Sequence, residues 1–172
     1  MGFFDGIFKN IKSKLVNKTK KVKTAKKIKF IVVDIFDGVI QRDIKSMVKG
    51  EKDINNLYEG LSNKEILERY SDKDKIYEVK IYGNYEIQLI PEPENRYDHN
   101  AIKVVHKEIG HVGYVPVVDC IKVKKALEDG YLIEWRLIGG KYKCIEYDSE
   151  KDKKVVRVNN NEYGIMMILT KP

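Results

Sequence analysis

Pro91-Glu92-Pro93-Glu94-Asn95-Arg96-Tyr97-Asp98-His99-Asn100-Ala101-Ile102-Lys103-Val104 is the stretch on which the reading of this chain turns. Two prolines at alternate positions hold the backbone extended as it leaves a strand, and they remove two donors from the ladder. Asn95 and Asp98 are residue types that cap turns through their own side chains. Asn100 suits hydrogen bonding to buried backbone groups, and Ala101 and Ile102 then return the chain to the core. Maintenance of the fold accounts for much of Asn95, Asn100 and Gly113. Tyr97 and Asp98 are different. A ring beside a carboxylate on a loop tip suits the reading of a nucleic-acid end, with the ring stacked on a terminal base and the acid accepting a hydrogen bond from a sugar hydroxyl.

Outward from this stretch the pattern is one of strands. Residues 77–82 and 85–90 gather β-formers around Gly83-Asn84, a hairpin-like pair of turn residues. Residues 101–106, 111–115, 131–137, 154–158 and 164–170 follow at short spacing, interrupted by a helix at 118–127 that Gly130 ends. Many short strands with one helix predict a small barrel. Upstream, Ser62 and Glu65 read as a capping box opening a short helix through about Tyr70, and Ser71-Asp72-Lys73-Asp74-Lys75 is a polar break. Between Ile28 and Val48 the apolar residues fall at roughly helical spacing, and a strand over 30–35 fits nearly as well. The expected fold is therefore α+β. A small β-barrel with one or two helices occupies 76–172, preceded by a mainly helical region at 30–75 and a basic amphipathic helix at 1–29.

Charge sets the N-terminal segment apart. Ten lysines and no acid lie between Lys9 and Lys29, so the first 29 residues hold more positive charge than the net +7 of the 172-residue chain. Phe4, Ile7, Phe8, Ile11 and Leu15 recur at helical spacing, with Lys9, Lys12, Lys14 and Lys18 on the other face. Three readings of this helix compete: packing on the rest of the protein, lying on an anionic membrane surface, and tracking a nucleic-acid backbone. No apolar run approaches the roughly 20 residues of a membrane span. The apolar residues precede the lysines, the reverse of a signal peptide. Two cysteines, Cys120 and Cys144, make no disulfide framework and fit a reducing, cytoplasmic location.

The turn sequence resembles the signature of the HIRAN domain family, in which a strand runs into an "EPxNxYDxNAI" turn and returns as a strand. Ile109-Gly110-His111-Val112-Gly113-Tyr114-Val115-Pro116 resembles the family's second piece, "xxIGYVP", and a helix follows in both. The likeness covers about 77–172. It implies a small SH3- or OB-like barrel that binds the 3′ hydroxyl end of single-stranded DNA, often in front of helicases that remodel stalled forks, and so a place in DNA repair or replication-fork processing. By that resemblance Tyr97 stacks on the terminal base, Asp98 contacts the 3′ hydroxyl, and Tyr163 is a second stacking residue. The family's Arg-aromatic pair on the first strand has no arginine here. Tyr82 or Tyr85 stands for the aromatic and Lys80 for the charge. Tyr114 stands where the family has His, and Val117 where it has Lys, leaving Lys122, Lys124 and Lys125 as substitutes. No GxxxxGK[ST] is present, so the resemblance implies a non-enzymatic module with a helicase or nuclease partner in trans. The alternative is a membrane-surface or protein-interaction adaptor that uses residues 1–29 and keeps the barrel as scaffold.

Catalytic readings are weak. Asp34 and Asp37 follow an apolar run as in haloacid-dehalogenase-type phosphatases, which need two Asp two apart; these are three apart. His99, His106, His111 and Cys120 match no common zinc spacing and read as surface histidines and a lone thiol. No catalytic residue, metal or cofactor is expected.

Overall fold

A computed structural model describes residues 26–35, 37–52, 56–84 and 86–172. The basic amphipathic segment lies almost wholly outside these. Two antiparallel sheets are present. One runs β1 (Lys27–Ile31), β8 (Lys153–Thr170), β7 (Leu132–Asp148), β2 (Ile76–Tyr77), with β3 (Tyr82–Gly83) also paired to β7. The other is β4 (Ile87–Pro91), β5 (Ile102–His106) and β6 (Gly110–Tyr114). Helix α1 (Gly38–Lys52), α2 (Asn63–Arg69) and α3 (Val117–Glu128) complete the fold.

The segment after residue 26 joins the two sheets. Alternation puts Ile28 and Phe30 inward and Lys27 and Lys29 outward, so it folds as the strand that competes with the helical reading. Lys27 pairs with Thr170 and Ile31 with Met166 along β8. Val32 N then donates to Ile165 O at 2.9 Å, and Val33 exchanges two hydrogen bonds with Tyr114 of β6 at 2.9 and 3.0 Å. Gly113 lets that bridge close: its φ is +142°, and a Cβ there would stand 2.2 Å from Val33 O. Among the described residues the ladders meet only at this bridge, so the strands form two sheets over a shared core and not the closed barrel that the pattern suggests.

That shared core takes Phe30, Val32, Ile35, Ile44 and Val48 together with Ile102, Val104, Val112, Val123, Trp135, Ile165, Met167 and Leu169. Packing thus crosses the polar break at 71–75, and Phe30, Val32, Ile35 and the helical residues Ile44 and Val48 share one core with the strands. Gln41 of α1 fixes this: buried, it donates Nε2 to Ile35 O (3.1 Å) and Tyr163 O (2.9 Å) and accepts from Tyr163 N at 3.1 Å. One side chain so satisfies three buried backbone groups.

The capping box forms as read: Ser62 Oγ accepts from Glu65 N, and Glu65 Oε2 accepts from Ser62 N at 3.0 Å. The hairpin expected at Gly83-Asn84 does not form, because Tyr82 and Gly83 pair with Arg136 and Trp135 while β4 pairs with β5. The three strands expected over 131–170 are two long ones. A register shift between Ile138 and Gly140 bends them, with Gly139 and Gly140 at φ +83° and +74°. Beyond this bend the hairpin packs on α2 through a small second core of Ile66, Ile76 and Ile145.

Gln41→Leu strands three buried backbone groups. We expect it to cost about 2–4 kcal/mol, read as a fall in the urea midpoint with an unchanged slope; a change below about 0.5 kcal/mol would contradict the role given to Gln41.

Candidate nucleic-acid interface

The loop between β4 and β5 is held by one carboxylate and one amide. Glu92 N donates to Ala101 O at 2.9 Å, closing the loop at its base. The Glu92 carboxylate accepts from Asn95 Nδ2 at 3.0 Å and from Tyr114 Oη at 3.2 Å, and pairs with Lys103 Nζ at 3.4 Å. The Asn95 hydrogen bond leads in holding its pKa below the ordinary value. Asn95 Oδ1 in turn accepts from Tyr97 N (3.0 Å) and Asp98 N (3.2 Å), an Asx turn that fixes both residues. Asp98 Oδ1 accepts from Asn100 N at 2.8 Å. His99 Nδ1 meets Pro93 O at 2.8 Å.

On this frame Tyr97 is 99% exposed, and among the described residues no other large hydrophobic residue is as open. Asp98 is half-buried, and its second oxygen has no hydrogen-bond partner among the described residues. A rigid backbone carrying a free ring and a free acceptor oxygen is what recognition of a base and a hydroxyl needs.

The other expected site residues scatter. Tyr114 joins the loop from β6: its hydroxyl is committed to Glu92, its ring stands edge-on to His111 at 4.8 Å, and burial followed by the Glu92 charge raises its pKa. Tyr163 is 8% exposed and belongs to the core. Its ring lies on Gly140, where a Cβ would come within 2.3 Å of it, and burial raises its hydroxyl's pKa. It is therefore a packing residue and not a second stacking surface; it shares the inward side of β8 with Ile165, Met167 and Leu169. Tyr82 is open at 73% exposure, on the outer side of the other sheet. Lys80 is engaged by Glu59 at 2.7 Å and Lys122 by Asp119 at 3.4 Å, both as exposed pairs. Tyr85 lies outside the described residues. The residue missed in the sequence is Glu92, whose separation from Asn95 by three positions is the spacing of a side-chain-capped turn.

Of the three histidines expected at the surface, His106 is buried. It is 2% exposed, stacked edge-on to Trp135 at 5.2 Å. Its Nδ1 accepts from Glu108 N (3.3 Å) and Ile109 N (3.4 Å). No group of three or more metal-ligating side chains occurs among the described residues. Both cysteines are free thiols whose pKa burial raises, and the Asp98 charge adds to this at Cys120.

The family model described as HIRAN domain matches residues 67–144. The matched span contains the β4–β5 loop, β6 and α3 and ends within β7, leaving β1 and β8 outside it. HIRAN domains are in general DNA-binding modules, and the match supports nucleic-acid binding. Neither the curated proteins nor the solved structures include a match to the chain.

Burial depresses the pKa of His106 below the ordinary 6.5, so the unfolded chain takes up a proton before the folded one does. Its neutral form therefore adds stability that is fully present above the unfolded value and is lost as pH falls through the folded one. Urea midpoints of the wild type should drop between about pH 7 and pH 5. His106→Phe should flatten that part of the profile; an unaltered slope would refute it.

Proposed function

We propose that the chain is a non-enzymatic module that binds single-stranded DNA at 3′ ends and serves a helicase or nuclease in trans, in DNA repair or replication-fork processing. The observation that carries this reading is the β4–β5 loop: a fully exposed Tyr97 and a half-free Asp98 carboxylate on a backbone locked by Asn95 and Glu92. The ring offers a stacking face for the last base. The open oxygen of Asp98 accepts from a terminal hydroxyl, and its charge repels a terminal phosphate, so one residue gives both attraction and discrimination. Acids dominate the loop, with Glu92, Glu94 and Asp98 against Arg96 and the Glu92-bound Lys103. Such a loop suits the uncharged tip of a strand better than its phosphates.

Fluorescence anisotropy with short labelled strands tests the reading. The wild type should prefer a 3′-hydroxyl to a 3′-phosphate end. Tyr97→Ala should weaken binding on the order of fivefold to a hundredfold. Asp98→Asn keeps the cap to Asn100 and should narrow the preference. Equal affinity for the two ends removes the end-reading role, and no binding at low salt removes nucleic acid as the ligand.

A further inference from the structure

The outer side of the larger sheet is built of rungs that pairing defines. Tyr82 pairs with Arg136, Arg136 with Met166 and Met166 with Ile31. The next rungs are Glu134–Ile168–Lys29 and Leu132–Thr170–Lys27. Directly paired residues share a face, and the alternate rung, Gly83–Trp135–Met167–Phe30, is the one that faces the core. On this side Tyr82 is 73%, Leu132 61% and Ile31 49% exposed, all on the strands flanking β8, while along β8 itself Ile168 is buried at 3% and Met166 and Thr170 are half-buried, so the open surface lies along the two margins of the strip.

The charges on this side are unspent. Arg136, Lys27 and Lys29 are exposed, and none makes an ion pair among the described residues. Glu134 is the single acid on the three rungs. An exposed ring directly beside a free guanidinium, with two more cations across the sheet, combines a stacking platform with a basic track. From strand and residue spacings the strip measures roughly 14 Å each way. That holds about four nucleotides at about 3.4 Å each, the small end of site sizes for one module.

We propose that this outer face is a second contact surface for single-stranded nucleic acid, on which Tyr82 stacks with a base while Arg136, Lys27 and Lys29 hold the phosphates. It rests on the nucleic-acid reading of the preceding section and adds cations to those of a β4–β5 loop in which acids predominate. The ring is what favours a nucleic acid over an acidic peptide, since a peptide carboxylate has no flat face to offer Tyr82.

The test uses the full chain and a labelled 15-nucleotide strand over a range of salt. Tyr82→Thr keeps a strand-forming residue and should bind about fivefold or more weakly. The combined Lys27→Gln, Lys29→Gln and Arg136→Gln variant should lose roughly 2 from the slope of log affinity against log salt, at about 0.7 per phosphate contact. Arg136→Lys, added back to that variant in place of glutamine, should recover about a third of the loss. All three positions are exposed, and unchanged melting by circular dichroism verifies the fold. The preference for a 3′-hydroxyl over a 3′-phosphate end should persist in every variant, because the loop is intact. Wild-type affinity and slope in the variants overturn the second surface while leaving end recognition standing. Equal competition by an oligo-glutamate of the same charge overturns it too. A wild type that binds no strand at low salt overturns both readings together.

Discussion

Seven residues at 27–33 hydrogen-bond to both sheets, and the arrangement of everything else follows from them. Along Lys27–Ile31 they complete the edge of the larger sheet on β8, and at Val33 they pass to β6 of the smaller one. A strand that serves two sheets fixes the angle between them. It also sets where the β5–β6 pair lies, and with it the loop that Glu92 and Tyr114 brace. The constraint has little tolerance, since the crossing backbone leaves no room for a side chain at Gly113. Gln41 secures the same junction from the helix side by tying Ile35 O to both backbone groups of Tyr163.

The polar chemistry divides across that junction. The loop carrying Tyr97 is acidic and its backbone is tied by its own side chains, so its organisation comes from short hydrogen bonds that survive salt better than long-range charge effects. The outer sheet face holds cations that make no ion pair among the described residues, and their influence reaches into solvent and weakens with ionic strength. Local order and long-range attraction are thus assigned to different surfaces. Residues 67–144 take in the loop together with Tyr82 and Arg136, whereas Lys27 and Lys29 come from a strand outside that span.

What could be read from the residues depended on whether the determining contact was local. The Ser62–Glu65 capping box, the helix ended before Gly130 and the turn organised by Asn95 and Asp98 are each decided within a few residues, and each stands where the sequence placed it. The hairpin at Gly83-Asn84 failed because the partners of Tyr82 and Gly83 are Arg136 and Trp135, a pairing that no turn rule foresees. Other signals are local and present in the sequence. Period-two alternation runs through Tyr163, Ile165, Met167 and Leu169 and marks Tyr163 as core. It runs likewise through Ile102, Val104 and His106, which marks that histidine as buried. In 28–48 the strand and helix periods overlap for the first few apolar residues, and only the distant edge of β8 decides between them.

The pairing of Lys27 with Thr170 joins residues near opposite ends of the chain. Loop closure over such a separation is entropically slow, so contacts of this kind form late relative to local hairpins and helices. During synthesis the inward side of β7, with Ile133, Trp135 and Leu137, emerges before β8 exists to share it, and Phe30 likewise waits for its partner Met167. Until β8 arrives, the nascent chain carries an unpaired strand and an uncovered apolar side. The risk of aggregation through this sheet is therefore greatest while β1 and β7 have been made and β8 has not.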